Sequence, residues 1–229
     1  MYSERPAAYP GAVVWTNAPG GPGGVYPVLP DGCMDLLWSE GRLLVAGPDT
    51  KAYRPQGAPG RAVTGIRFAP GTAPALLGVP ARELLDQRVE LADLWPAARV
   101  RRLAGRFAAA PDPLTALEDL ARTTDSAPPD PALLHAARRL GEGAAVAAVA
   151  DETGLGARTL HRRSLTAFGY GPKTLARILR LQRALGLART GLSPAGTAAA
   201  AGYADQSHLA RDVRDLVGMP LGALLALHP

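Results

Sequence analysis

The residues Leu160-His161-Arg162 recur as Leu209-Ala210-Arg211, 49 positions further along the chain. At the same offset Gly169 recurs as Gly218 and Leu175 as Leu224. Each copy is preceded by small residues and a glycine: Ala147-Ala148-Val149-Ala150 up to Gly154, then Ala198-Ala199-Ala200-Ala201 up to Gly202. Each copy therefore reads as helix, glycine turn, helix. That is the outline of a helix-turn-helix, whose second helix enters the major groove of DNA. Two such units on one chain would read two successive stretches of groove.

The chain has 229 residues, 47% of them apolar, which suits one or two domains with a sizeable core. No run approaches the roughly 18 apolar residues of a membrane span. The N-terminus lacks the basic start and apolar stretch of a secretory signal. The single cysteine, Cys33, excludes an internal disulfide and a cysteine-cluster metal site. A cytoplasmic protein without metal or cofactor is the expectation.

The net charge of +5 is unevenly placed. Residues 1–127 hold 13 Lys+Arg against 13 Asp+Glu, whereas residues 128–229 hold 12 against 7. The basic excess thus lies entirely in the half that carries the repeat, and nucleic acid is the obvious polyanion for it. A general preference for arginine weakens this argument, because Lys51 and Lys173 are the only lysines.

Glycine and proline break the first half into short apolar runs at 12–15, 25–29, 33–38, 43–46 and 62–68. These read as strands of a small sheet or barrel. From 73–77, 82–85, 97–109 and 113–123 the apolar spacing turns helical. Residues 123–130 are small, polar or proline and form the clearest linker. Beyond it strand character vanishes, and helices are expected at 131–140, 144–153, 157–167, 172–189, 194–201, 206–216 and 221–227. Ser193-Pro194 supplies a cap and first-turn proline, and Asp205 a second cap. The expected fold class is α+β: a small β-rich domain with trailing helices over 1–127, and an all-α domain over 128–229. The second domain holds two helix-turn-helix units joined by a long helix.

On the helix from Ala157, the residues Leu160, Leu165 and Phe168 form an inward set, and Arg158, His161 and Arg162 lie on another face. Guanidinium forks can grip guanine O6 and N7 together, or neutralise phosphate. In the second copy Gln206, Ser207, His208 and Arg211 point outward, and a glutamine amide can pair with adenine. A solvated helix face is the ordinary reading of any one charged residue. The recurrence of both faces at matching places of a duplicated unit favours DNA contact. The helix from Pro172 to Arg189 spans roughly 27 Å. That suits a strut holding two reading heads about 34 Å apart, one turn of B-DNA. Its Lys173 and Arg177 join the candidate DNA contacts.

Three segments carry a family resemblance: Gly154-Leu155-Gly156-Ala157-Arg158-Thr159-Leu160-His161-Arg162, Phe168-Gly169-Tyr170-Gly171-Pro172-Lys173-Thr174-Leu175, and Ala201-Gly202-Tyr203-Ala204-Asp205-Gln206-Ser207-His208-Leu209-Ala210-Arg211. In order and spacing they resemble the DNA-binding domain of the AraC/XylS family over roughly residues 130–229. The resemblance implies a transcription regulator, often an activator that contacts RNA polymerase. Matched residue by residue, it implies base contacts from Arg158, His161 and Arg162 and from Gln206, Ser207, His208 and Arg211. Ser164 departs from the family's buried aromatic, Val213 from its phenylalanine, and Leu221 from its proline. The segments Pro30–Trp38 and Gly65–Gly71 are similar to the N-terminal domain of a poorly described actinobacterial group of such regulators. Family analogy implies that this domain senses a small molecule or mediates self-association, as a homodimer.

Within that domain, Arg67 lies between Ile66 and Phe68, and Asp35 between Met34 and Leu36. Strand alternation turns each away from its apolar neighbours. A buried charge needs a partner or a ligand, so both residues are candidates for an effector site, the alternative being a structural pair. Cys33 reads either as a redox-sensing thiol or, more commonly, as a small buried hydrophobe. A DNA-repair alkyl-transfer enzyme can carry the same DNA-binding module, but Cys33 alone offers neither a metal cluster nor a recognisable nucleophile. A hydrolase finds no histidine before His135, no Gly-x-Ser-x-Gly and no phosphate-cradling glycine loop. An architectural DNA protein would need neither a sensor-sized first half nor duplicated recognition helices.

Overall fold

The computed structural model describes residues 2–17, 27–55 and 62–227. The first half builds one antiparallel sheet from β1 (Tyr2–Pro6), β2 (Ala12–Asn17), β3 (Met34–Ser39), β4 (Arg42–Ala46), β5 (Val63–Phe68) and β6 (Arg88–Glu90). Their order is β1-β2-β5-β3-β4-β6, an open sheet whose edges are β1 and β6. Strand alternation sorts the side chains to its two faces. Val14, Leu36, Ile66 and Phe68 lie on one face and are fully buried. That face is covered by α1 (Ala73–Leu77), α3 (Ala97–Ala109) and α4 (Pro113–Thr123), whose Leu77, Phe107 and Leu117 join the same core. Burying each such side chain contributes about 1.5–3 kcal/mol. Trp15, Asp35 and Arg67 fall at the alternate positions, on the opposite face.

Five elements differ from the sequence reading. The run at 25–29 is not a strand: Val28 makes an isolated bridge to Tyr53, its neighbours Pro27 and Pro30 lack a ladder donor, and Val25 and Tyr26 lie outside the described residues. Residues 82–85 form a 3₁₀ turn at Ala81–Leu84, too short for an α-helix between Pro80 and an extended Leu85. β1 carries no alternation because all five of its residues are exposed on the sheet edge. The short β6 and α2 (Leu91–Leu94) complete the sheet edge and the turn into α3.

Seven helices follow: α5 (Pro131–Glu142), α6 (Val146–Glu152), α7 (Ala157–Phe168), α8 (Pro172–Arg189), α9 (Pro194–Ala201), α10 (Gln206–Val217) and α11 (Leu221–Leu227). Sequence-local chemistry starts several of them. Asp130 accepts from Ala132 N, Ser193 from Gly196 N and Asp205 from His208 N, and prolines open α5, α8 and α9. The 18-residue α8 is shared by two cores. Its Leu175 and Ile178 pack with Leu140, Val149, Leu160 and Phe168, whereas Leu181, Ala184 and Leu185 pack with Ala201, Leu209, Val213 and Leu216. Ser164, which stands where an aromatic was expected, is fully buried with its hydroxyl unpartnered.

The sheet half touches both helical cores. Leu85 packs against the first, and Leu29 and Ala52 pack against the second. Gln182 Nε2 donates to Pro30 O at 2.7 Å, and Ala52 N donates to Leu216 O at 2.7 Å. Gly169 closes α7 with φ +84°, and a Cβ there would lie 2.7 Å from Pro48, so this junction requires glycine twice over.

Candidate nucleic-acid interface

Each helical core presents one helix outward after a tight turn. In the first, the chain leaves α6, turns through Thr153–Gly156 and enters α7; in the second it leaves α9 through Gly202 and enters α10 at Asp205. Both α7 and α10 are amphipathic. Leu160, Ala167 and Phe168 anchor α7, and Leu209, Val213 and Leu216 anchor α10.

The outward faces carry the expected side chains. Arg158, His161 and Arg162 are exposed on α7, and Arg158 and Arg162 are one turn apart on the same stripe. The His161 ring lies close to the Gly171 backbone: a Cβ there would be 2.6 Å from Cε1. On α10, Gln206, Ser207 and Arg211 are exposed. His208 is half-buried, edge-on to the Tyr203 ring at 5.1 Å. Lys173, in the first turn of α8, is exposed.

Three other cations of α8, Arg177, Arg180 and Arg183, are held by specific partners. Arg177 donates from Nε to Asp212 Oδ1 at 2.8 Å and from Nη2 to Asp215 Oδ2 at 2.9 Å. Arg180 donates to Asp212 Oδ2 at 2.9 Å and stacks 4.3 Å from the Tyr203 ring centre. Arg183 donates to Gly141 O and Ala201 O, tying the ends of α5 and α9 to α8. Arg177 is therefore engaged with α10 in this structure, whereas Lys173 and Arg189, at the two ends of the strut, are exposed. Asp212 was not singled out from the sequence. The signal was there, since it occupies a buried position in the Leu209, Asp212, Val213, Leu216 stripe.

The second candidate cluster lies on the open face of the sheet. Asp35 and Arg67 stand directly opposite each other in the β3–β5 register. Arg67 Nε lies 3.3 Å from Asp35 Oδ1 and 3.6 Å from Asp31 Oδ2. Trp15 Nε1 donates to Asp35 Oδ1 at 2.7 Å, and its ring lies where a Cβ on Gly65 would approach within 2.6 Å. The Arg67 guanidinium sits 5.9 Å from the Trp15 ring centre, and Tyr2 stacks against the same indole. Burial pushes the Asp35 carboxyl up to about 6, against the opposing pull of Arg67. Burial also pushes the Cys33 thiol well up, with Asp31 adding to the effect, so Cys33 is a thiol rather than a reactive thiolate.

Residues 149–226 match the family described as helix-turn-helix domain. The chain therefore carries a helix-turn-helix domain over these residues. Both reading helices, α7 and α10, fall inside the match. Residues 12–90 match a second family, described as domain of unknown function (DUF6597), which spans β2 to β6. No curated protein matches the chain. Among solved structures, the apo form of a ToxT variant from Vibrio cholerae is similar over 96% of this chain and 98% of its own, at 11% identity and TM-score 0.50. That likeness concerns the α+β fold. A probable AraC family transcriptional regulator from Rhodopseudomonas palustris is 23% identical over 44% of this chain and 100% of its own, with TM-score 0.38. ToxT bound to an unsaturated fatty acid covers 94% of both chains at 12% identity and TM-score 0.45. No helix among the described residues is long and apolar enough to cross a membrane.

Proposed function

We propose that the chain is a one-component, sequence-specific transcription regulator. Residues 128–229 read two successive major-groove segments of double-stranded DNA, and residues 1–127 sense a small molecule or hold two copies together. The observation that carries the reading is the pairing of α7 and α10 on one strut. Each is capped by its own glycine turn, and each points polar side chains away from its core. Arg158, His161 and Arg162 contact one half-site; Gln206, Ser207, His208 and Arg211 contact the other, and Lys173 contacts phosphate. RNA polymerase is the partner that an activator of this class would touch.

The test is selection of bound duplexes from a random pool by residues 1–229, followed by footprinting. The expected result is one site with two protected major-groove segments about one helical turn apart. Absence of sequence preference at physiological salt would overturn it.

For the sensing role, Asp35 and Arg67 are the proposed core of the effector site. Asp35 is held by Trp15 and Arg67, and both contacts from Arg67 to it use Nε. A guanidinium fork matches the geometry of an acidic ligand group. The measurement is the melting temperature of wild type and Arg67→Gln with a metabolite library. A ligand that raises the wild-type midpoint and leaves a folded mutant unmoved supports the site. If Arg67→Gln unfolds and nothing shifts the wild type, the pair is structural.

A further inference from the structure

The connection that follows β4 touches both reading helices at their C-terminal ends. Residues 47–53 lie outside the strands and helices, yet Gly47, Pro48 and Asp49 are buried. Pro48 lies against Gly169, the residue that closes α7, so closely that a Cβ on that glycine would come within 2.7 Å of the proline ring. Four residues on, Ala52 packs against the second helical core, and its N–H donates to Leu216 O in the last turn of α10 at 2.7 Å. Four residues reach at most about 14 Å. A tether of that length therefore joins the ends of α7 and α10 without passing through α8.

The tether is held stiff by the turn between the 3₁₀ segment and β6. Gly47 N donates to Gln87 O and Asp86 N to Pro48 O, both at 3.0 Å. The Asp86 carboxylate accepts two further bonds, from Thr50 N and from Thr50 Oγ1, each 2.7 Å long. Asp49 forms a bidentate pair with Arg88 at 2.9 and 2.6 Å, and the same guanidinium covers the Tyr53 ring at 4.2 Å. Tyr53 exchanges two backbone bonds of 2.8 Å with Val28. The chain beyond Val28 reaches the second core through Leu29, and Gln182 of α8 through Pro30 O.

Two helices that read one site must keep a fixed distance and angle. One extra base pair between the half-sites moves the second by about 3.4 Å and turns it by about 35°. Within the helical half, α8 and its arginines set that geometry, and long helices bend. A second tie across the strut removes that freedom. We propose that residues 47–53, stiffened by Asp86 and Arg88, are positioning residues for DNA reading: they splint α7 to α10 and make the protein discriminate the spacing between its two half-sites. The role in reading rests on α7 and α10 being the two DNA-reading helices; the splint itself does not.

Two measurements on the full chain test it. The main variant is Asp86→Gly, which removes both Thr50 bonds and leaves a residue at ease with the φ of +56° found there. Asp86 is exposed, so the core stays intact, and a thermal melt checks this. Asp86→Asn keeps an acceptor for Thr50 N and is the rescue. Thr50→Val removes the hydroxyl bond alone and is the milder change. The first measurement needs no DNA. Spin labels at Ala147→Cys of α6 and Ala199→Cys of α9, both exposed positions, report the distance between the heads by double electron–electron resonance in a Cys33→Ala background. The distribution should be narrow in that background, broaden with Asp86→Gly, narrow again with Asp86→Asn, and fall between with Thr50→Val. A distribution that Asp86→Gly leaves as narrow as before overturns the splint.

The second measurement titrates the selected operator, and duplexes with one base pair inserted or deleted between its protected segments, by anisotropy. The wild type should lose about tenfold or more on each respaced duplex, because a whole half-site falls out of register. Asp86→Gly should lose roughly threefold or less, while base substitutions inside either segment cost it as much as they cost the wild type. Asp86→Asn should restore the wild-type spacing penalty. Equal weakening at every spacing marks the loop as a stabilising contact and overturns its role in reading. If the distances broaden and the spacing penalty stays, the splint stands and the role in reading is overturned. If selection returns a single protected segment, the two-head reading has failed and the spacing role falls with it, while the distances still decide the splint.

Discussion

Arg67 and Asp35 face each other across β5 and β3, with Nε 3.3 Å from Oδ1, and the indole of Trp15 donates to that same oxygen. The pair is charged and hydrogen-bonded, yet burial outweighs both and lifts the Asp35 carboxyl from 3.8 to about 6. A raised carboxyl favours the protonated form in the folded state. Its contribution to stability is fully present below the unfolded value and is lost as pH rises through the folded value. The window here is about pH 4 to 6. Asp35→Asn removes this dependence. The melting temperature of the variant, relative to wild type, should therefore climb between pH 4 and 6.5. Melts at several pH values in that range test it, and parallel curves would sink the argument.

The two reading heads should separate in footprints. Arg158→Ala and Arg211→Ala remove exposed forks from different helices joined by the 18-residue α8. Each should cost about 1–3 kcal/mol on the selected site and relax one base position, if it reads a base edge. Protection should be lost at opposite ends. Loss at the same end from both variants contradicts a two-segment arrangement, and a uniform loss on every sequence marks the residue as a phosphate contact.

Asp212 holds Arg177 and Arg180 together in one buried-edge network. Its side chain is 8% exposed, while Arg177 is 37% exposed, so the partners differ in how much water screens them. Removing one partner of a fully buried pair costs about 3–5 kcal/mol. With a half-wet arginine the loss for Asp212→Ala should be smaller, about 2–3 kcal/mol. Urea unfolding of the full chain measures it. Arg177→Ala should likewise lower stability and leave the operator sequence preference intact. If its unfolding midpoint is unchanged and its affinity for all duplexes falls, Arg177 serves DNA phosphate instead.

The reach of the sequence can be followed through these same residues. α7 and α10 were legible because their apolar period, glycine turns and caps are all local. Asp205 and Ser193 cap where their positions say they should. The strand alternation around Arg67 and Asp35 also gave their shared face, and the register then set them opposite each other. What stayed hidden depends on distant partners. Tyr2–Pro6 has no inward face, and it becomes a strand only because β2 offers a ladder. Arg177 looked like another outward cation of α8, because the carboxylates that hold it come from α10, 35 and 38 positions away. The loop at 47–53 lies against Gly169 and Leu216 at once, and no local pattern brings those two helix ends together.

Gly65 shows how tightly the open face of the sheet is arranged. Its position is buried, and a Cβ there would meet the Trp15 ring at 2.6 to 2.8 Å. The indole cannot retreat freely, because Tyr2 stacks on it and its Nε1 is committed to Asp35. Gly65→Ala should therefore either displace the ring or distort β5. Overpacking of this kind costs about 1–3 kcal/mol. Displacement also takes away the hydrogen bond that helps hold Asp35 ionised, so its carboxyl should rise further above 6. The two consequences separate by measurement. Chemical denaturation gives the stability loss. The carboxyl titration, followed by carbon NMR with labelled aspartate, gives the shift, with Trp15→Phe as the reference for a lost indole bond. If Gly65→Ala destabilises while Asp35 titrates as in wild type, the ring has kept its bond and the strain sits in the strand. If neither moves, the close approach of Trp15 to β5 is wrong.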